Sequence, residues 1–141
     1  MEDNMKDIFC RIIDGEIPSA KVYEDDDVLA ILDISQTTQG HTLVLPKAHY
    51  ENFLAVPKDL LNKVMAVAQR IGQAQISLLH AKGVNILSNV GEAAGQSVPH
   101  FHVHVIPRYG NDGGIQITMK EQNSSIDLPR LACELHNELG K

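Results

Sequence analysis

Histidines stand at positions 100, 102 and 104 in the stretch AGQSVPHFHVHVIPR, with Phe101, Val103, Val105 and Ile106 between and after them. On extended backbone, successive side chains face opposite ways. The three imidazoles therefore share one face at intervals of about 6–7 Å, and Phe101, Val103 and Val105 share the other, toward a core. A row of imidazoles is a poor use of a core face, so it lines a site or faces solvent. Two chemistries fit it. One is metal ligation, because an H-x-H pair on a strand is a common zinc arrangement. The other is nucleophilic catalysis by one imidazole, with its neighbours as donors to an anion. The surroundings favour the second. The preceding loop, NVGEAAGQS, has two glycines, two side-chain amides and a hydroxyl, and glycine turns expose backbone N–H groups that bind phosphate oxygens. No Asp or Glu follows closely after His104 to complete a metal set; Arg108 is a further anion partner or a surface charge. Imidazole suits nucleophilic work near neutral pH because its unperturbed pKa is about 6.5.

The elements that must carry these residues are readable from pattern. A short helix is expected around Ile8–Ile13, stopped by Gly15 and Pro18. Two short strands, Lys21–Glu24 and Val28–Asp33, flank an acidic turn, and a third covers about Thr42–Pro46. Pro57 opens a long helix to about His80, with Leu60, Leu61, Val64, Val67, Ala68, Ile71, Ala74, Leu78 and Leu79 on its helical period and Gly83 ending it. Strand four is expected at Val84–Asn89 and strand five at about Val98–Pro107. Asp127 is a candidate N-cap for a terminal helix to Leu139, with Pro129 in its first turn. Short strands with few helices between them indicate an α+β fold with an antiparallel sheet.

A chain of 141 residues fits one domain, 1–141. Its mean hydropathy of -0.13 is that of a soluble globular protein. A net charge of -6 argues against a nucleic-acid polymer as partner, although local donors can still bind a small anion. No apolar run approaches a membrane span, and the acidic start, MEDNMKDIFC, does not read as a signal peptide. Cys10 and Cys133, far apart in sequence, read as reduced thiols of a cytoplasmic protein.

The run HFHVHVI fits the pattern His-φ-His-φ-His-φ-φ, with φ apolar, and resembles the histidine triad (HIT) family, in particular its Hint-like nucleotide hydrolases of bacterial type. Two stretches carry the resemblance: IFCRIIDGEIPSAKVYEDDDVLAILDISQTTQGHTLVLPKAH and NILSNVGEAAGQSVPHFHVHVIPRY, together about residues 7–110. The tail from 115 to 141 lies largely outside it. The resemblance implies a five-stranded antiparallel sheet with one long and one or two short helices, and two copies joined into a ten-stranded sheet. It also implies a nucleotide phosphoramidase or related hydrolase that acts at the α-phosphate of purine nucleotides. In that scheme His102 attacks phosphorus, His104 donates to the phosphate, and His100 holds the nucleophile through its backbone carbonyl. His41 is a further active-site histidine. Asn89, Gln96 and Ser97 match phosphate contacts, and Asp33 matches the carboxylate that takes both ribose hydroxyls; alone, it would read as a turn cap. Ile8, Phe9, Ile12, Ile17, Leu32 and Ile34 match the base pocket, with core packing as the alternative role for each.

No cofactor is required by this scheme. Some family members hold a structural zinc with a C-x-x-C pair, a histidine equivalent to His49 and the first triad histidine. Here Asp7 stands in place of the first cysteine beside Cys10, which weakens such a site. His80 and His136 sit near helix C-termini, where the helix dipole favours them. Other functions fit the same motifs: a dinucleoside polyphosphate hydrolase, a nucleotide-binding adaptor without catalysis, or a zinc hydrolase with the three histidines as ligands.

Overall fold

A computed structural model describes residues 6–122 and 125–141. The element order is α1 (Ile8–Ile13), β1 (Lys21–Glu24), β2 (Val28–Leu32), β3 (Thr42–Pro46), α2 (Lys58–Leu79), β4 (Gly83–Leu87), β5 (Val103–Arg108) and α3 (Leu128–Leu139). The strands form one antiparallel sheet in the order β1-β2-β3-β5-β4. The fold is α+β, as the alternation of short strands indicates.

Burial is nearly continuous along the central strands β2 and β3 because both faces of the sheet are covered. Val28, Ala30, Val44, Phe101, Val103 and Val105 point to α2 and pack with its Val64, Val67, Ala68 and Ile71. Leu29, Ile31, Leu43 and Leu45 point the other way and pack with Phe9 and Ile12 of α1. Each fully buried side chain of this size contributes about 1.5–3 kcal/mol by leaving water.

The buried stripe of α2 is Val64, Val67, Ala68, Ile71, Gly72 and Gln75, a spacing of three and four. The apolar list read from sequence differs at its end: Ala74 and Leu78 are exposed, and Gln75 is buried in their stead. Gln75 earns that place by donating to the Gly40 and Val105 carbonyls, 3.0 Å each, which ties the helix to the sheet. The helix stops at His80, whose left-handed backbone (φ 61°) closes it. Gly83, expected as the terminator, is already the first residue of β4.

β5 starts at Val103, five residues later than expected. The reason is pairing: β3 meets β5 only through Thr42–Val105, Leu43–His104 and Val44–Val103. Upstream, the Phe101 amide donates to the Tyr50 carbonyl, outside any strand. The side-chain alternation nevertheless continues through Phe101. β2 and β4 also end early, at Leu32 and Leu87, so Asp33 and Asn89 fall just past their strands. No described helix is long and apolar enough to cross a membrane.

Candidate active site

The site forms where α1 covers the sheet beside the end of β2 and the start of β5. A cavity of about 290 Å³ opens there, lined by Ile8, Phe9, Ile12, Ile17, Leu32, Asp33, Ile34, Ser97, His102 and His104 among others. All six residues expected at an apolar base slot therefore share one cleft with two of the three triad histidines. Its walls are mostly apolar with few polar groups, which is the composition of a small-molecule site.

The imidazole row is not a solvent-facing or site-lining row throughout. His100 is fully buried, and His102 is nearly so. Burial of a polar ring is tolerated when its buried nitrogens have partners, and the contacts of His100 and His102 show how this is met. His100 Nε2 donates to the Pro46 carbonyl at 2.9 Å. His102 Nδ1 donates to the His100 carbonyl at 2.8 Å, and that carbonyl is the contact expected of His100. The Ser88 hydroxyl donates to the His102 carbonyl at 2.8 Å. The Phe9 ring meets His102 edge-on, with centroids 4.8 Å apart. His104 sits on β5 between Leu43 and Leu87, its ring centroid 5.1 Å from that of His102.

His41, buried at the start of the β3 segment, joins them. Its Nε2 lies 2.9 Å from His104 Nδ1 and 3.6 Å from the Asp33 carboxylate. Its Nδ1 faces the Thr37 hydroxyl at 3.1 Å. Burial is the largest influence on all three rings and lowers their basicity; for His104, with His102 and His41 adding to it, the pKa falls to about 4. All three are therefore neutral at pH 7.

Asp33 is a turn cap that also borders the cleft; its Oδ1 accepts the Ser35 amide at 2.8 Å. Ser97 lines the cleft as well. Gln96 is engaged elsewhere: its Oε1 accepts from Gly91 N (2.9 Å), and its Nε2 donates to the Glu51 and Val98 carbonyls. It staples the glycine loop. The Asn89 amide lies against Gly95 of that same loop. Arg108 is spent at the other end of β5 on Asp112 and Asn85, 2.8 and 2.7 Å away, so it is no anion partner here. Thr37, Pro46 and Ser88 went unnoticed in the sequence, because each acts through a contact that only folding creates.

Behind His100 a second cluster forms from Asp7, Cys10, His49 and His100, whose ligand atoms all lie within 4.8 Å of one another. Asp7 caps α1 with Oδ1, accepting from Cys10 N at 2.8 Å, and turns Oδ2 to His49 Nδ1 (3.1 Å) and His100 Nδ1 (3.3 Å). With Nε2 engaged on Pro46, Nδ1 is the nitrogen His100 can turn to a cation, 3.6 Å from the Cys10 sulfur. A carbonyl that fixes the outer nitrogen is the usual support of a metal-bound histidine. Two nitrogens, one sulfur and one carboxylate oxygen fit a divalent metal of the zinc type. The substitution of Asp7 for a thiol thus leaves a usable donor set. Without a cation, burial and the Asp7 carboxylate push the Cys10 thiol up. A metal here would cross-link α1 to the chain before β5 and would touch none of the cleft-facing nitrogens. Exhaustive chelation is therefore expected to lower the melting temperature of metal-loaded protein and to spare turnover. Loss of activity with EDTA, restored by zinc alone, would reverse that assignment. The three triad histidines do not themselves converge as ligands, since His100 faces this cluster and His102 faces the cleft.

Residues 14–111 match the family model of the HIT domain. The chain is 51% identical over 113 residues to Protein hit of Bacillus subtilis (strain 168), a match covering 80% of this chain and 78% of that one. A crystal structure of a HIT family protein from Bacillus anthracis superposes with a TM-score of 0.87 at 43% identity, covering 93% of this chain and 95% of its own. Adenylylsulfatase HINT3 of Arabidopsis thaliana is 39% identical over 105 residues, 74% of this chain and 53% of that protein. With the histidine row, the apolar cleft and these likenesses in agreement, the chain belongs to the HIT family and has its nucleotide-binding and hydrolase fold.

Proposed function

We propose that this protein is a nucleotide hydrolase acting at the α-phosphate of purine nucleoside phosphoramidates or related conjugates, through a nucleotidyl-histidine intermediate. One observation carries the reading. The His102 Nδ1 proton is held by the His100 carbonyl, so Nε2 keeps its lone pair, on a ring that lines the cleft. Nε2 attacks phosphorus, the bond to the leaving amine breaks, and the amine departs with a proton taken from solvent, which the later attack of water returns. Water then cleaves the P–N bond, which releases the nucleoside monophosphate and restores His102. Splitting the displacement this way lowers each barrier. The base occupies the apolar end between Ile8, Ile12, Ile17 and Ile34, where Leu32 and Phe9 add contact area. Asp33 takes the ribose hydroxyls, and Ser97 and His104 face the phosphate. Gln96 and Asn89 shape the glycine loop that offers its N–H groups to the same anion.

The testing experiment is a turnover profile over adenosine and guanosine phosphoramidates, diadenosine polyphosphates and adenylyl sulfate. The phosphoramidates are expected to turn over fastest. Fastest cleavage of a diadenosine polyphosphate would shift the assignment to a dinucleoside polyphosphate hydrolase, and tight AMP binding with no turnover of any substrate would make the protein an adaptor. In the same system, Asp33→Ala is expected to weaken ribonucleotide binding by about 1–3 kcal/mol. A 2′,3′-dideoxy ligand should bind parent and variant alike. Calorimetry that shows unchanged ribonucleotide affinity in the variant removes the ribose role.

Two copies are proposed to pair through β4. It is an edge strand whose Ile86 and Leu87 remain exposed, and an open apolar edge favours pairing. A light-scattering mass of one chain at micromolar concentration would count against the pairing.

A further inference from the structure

We propose that Thr37 is a positioning residue whose hydroxyl, beside its amide, decides which nitrogen of His104 carries the proton. The proposal rests on the reading of His102 and His104 given above and adds a residue to it. The Thr37 hydroxyl lies 3.1 Å from His41 Nδ1, and the Thr37 amide N–H points at the same nitrogen from 3.5 Å. An amide N–H can only donate, so His41 Nδ1 accepts. The proton of neutral His41 then sits on Nε2, where the Asp33 carboxylate, 3.6 Å away, also calls for it. His41 Nε2 donates in turn to His104 Nδ1 at 2.9 Å. His104 therefore accepts at Nδ1 and carries its own proton on Nε2, the nitrogen left to serve the cleft. Reversal at the first link reverses the last. A His41 protonated on Nδ1 would accept at Nε2, draw the His104 proton onto Nδ1 and leave the phosphate facing a lone pair.

Thr37 is held tightly enough to do this. Gln36 bridges its own loop through the Asp33 and His41 carbonyls and the Gly40 amide. The Thr38 hydroxyl donates to the Pro107 carbonyl at 2.6 Å. On the far side Gly114 rests against the Thr37 carbonyl, where a methyl group would collide with the oxygen. The chain beyond β5 thus buttresses the residue that feeds the histidine pair.

The test compares Thr37→Val, which keeps the shape and the amide N–H and removes the hydroxyl, with Thr37→Ser, which restores the hydroxyl. Ring ¹⁵N–¹H correlation spectra of histidine-labelled protein read the protonated nitrogen directly. The parent is expected to show His41 and His104 both protonated on Nε2. Thr37→Val should move His41 toward the Nδ1-protonated form and lower kcat on an adenosine phosphoramidate about three- to tenfold, the worth of one hydrogen bond, with KM little changed. Thr37→Ser should return both to the parent values. A Thr37→Val variant with parental ring patterns overturns the proposal, whatever its turnover. If the parent hydrolyses no phosphoramidate, the functional reading fails by itself. The ring patterns then decide alone: a shift in Thr37→Val that Thr37→Ser reverses supports the role of Thr37, and no shift removes it.

Discussion

His102→Ala is expected to lose turnover by about 10⁴-fold or more, the scale set by removal of an enzyme nucleophile, while AMP still binds. Binding survives because the cleft is built mainly by other residues: Ile8, Ile12, Ile17, Asp33 and Ser97 all line it. The loss is chemical, since no other ring in the site has both a supported outer nitrogen and an accepting nitrogen on the cleft. His100 uses Nε2 on Pro46 and turns Nδ1 to Asp7 and Cys10. His104 Nδ1 is occupied as the acceptor of the hydrogen bond from His41 Nε2. Rapid quenching followed by acid-sparing mass spectrometry should find the nucleotidyl group on the peptide that holds His102. An adduct on His100 or His104, or near-normal turnover in the variant, rules the assignment out. The pH profile carries the same signature. Burial depresses the His102 pKa below its ordinary value of 6.5, despite the opposing hydrogen bond to His100. The attacking neutral form therefore persists at lower pH, and the acid limb of kcat/KM should fall below pH 6.5.

His104→Ala is expected to lower kcat and kcat/KM together by about 10²–10³-fold, as the loss of one oxyanion donor does. Its pKa near 4 means that the ring is neutral at pH 7 and acts as an N–H donor, with no charge to contribute. A donor that strengthens its bond as charge grows on the phosphate oxygens acts in the transition state, so KM should change little. A rise in KM with kcat unchanged would make His104 a ground-state binding residue instead. Because both rings are buried and neutral, their protonation also opposes folding. A histidine whose folded pKa lies below its unfolded value contributes stability above pH 6.5 and loses it as pH falls toward the folded value. For His104 that window runs from 6.5 down to about 4.

What local pattern can specify was legible in the chain. The bounds of α1, β1 and β3 were readable because turn residues flank them, and Asp127 caps α3 as its spacing suggests. The two-residue alternation placed Phe101, Val103 and Val105 under α2 and the histidines opposite, even where the strand ladder had not begun. Motif resemblance brought the six apolar residues, Asp33 and Ser97 to what proved to be one cleft. Alternation could not say which of three chemically identical rings faces what. That was decided by partners remote in the chain: Pro46 for His100, His41 for His104, and Asp7 and Cys10 on the far side. The same holds for Gln96, whose amide looked free to meet a phosphate and is used on Glu51, Gly91 and Val98. Side-chain period is a property of the local backbone, so it can be read along the chain. A proton's position on an imidazole depends on which donor and acceptor sit within about 3 Å of each nitrogen, and only the tertiary fold brings those groups together.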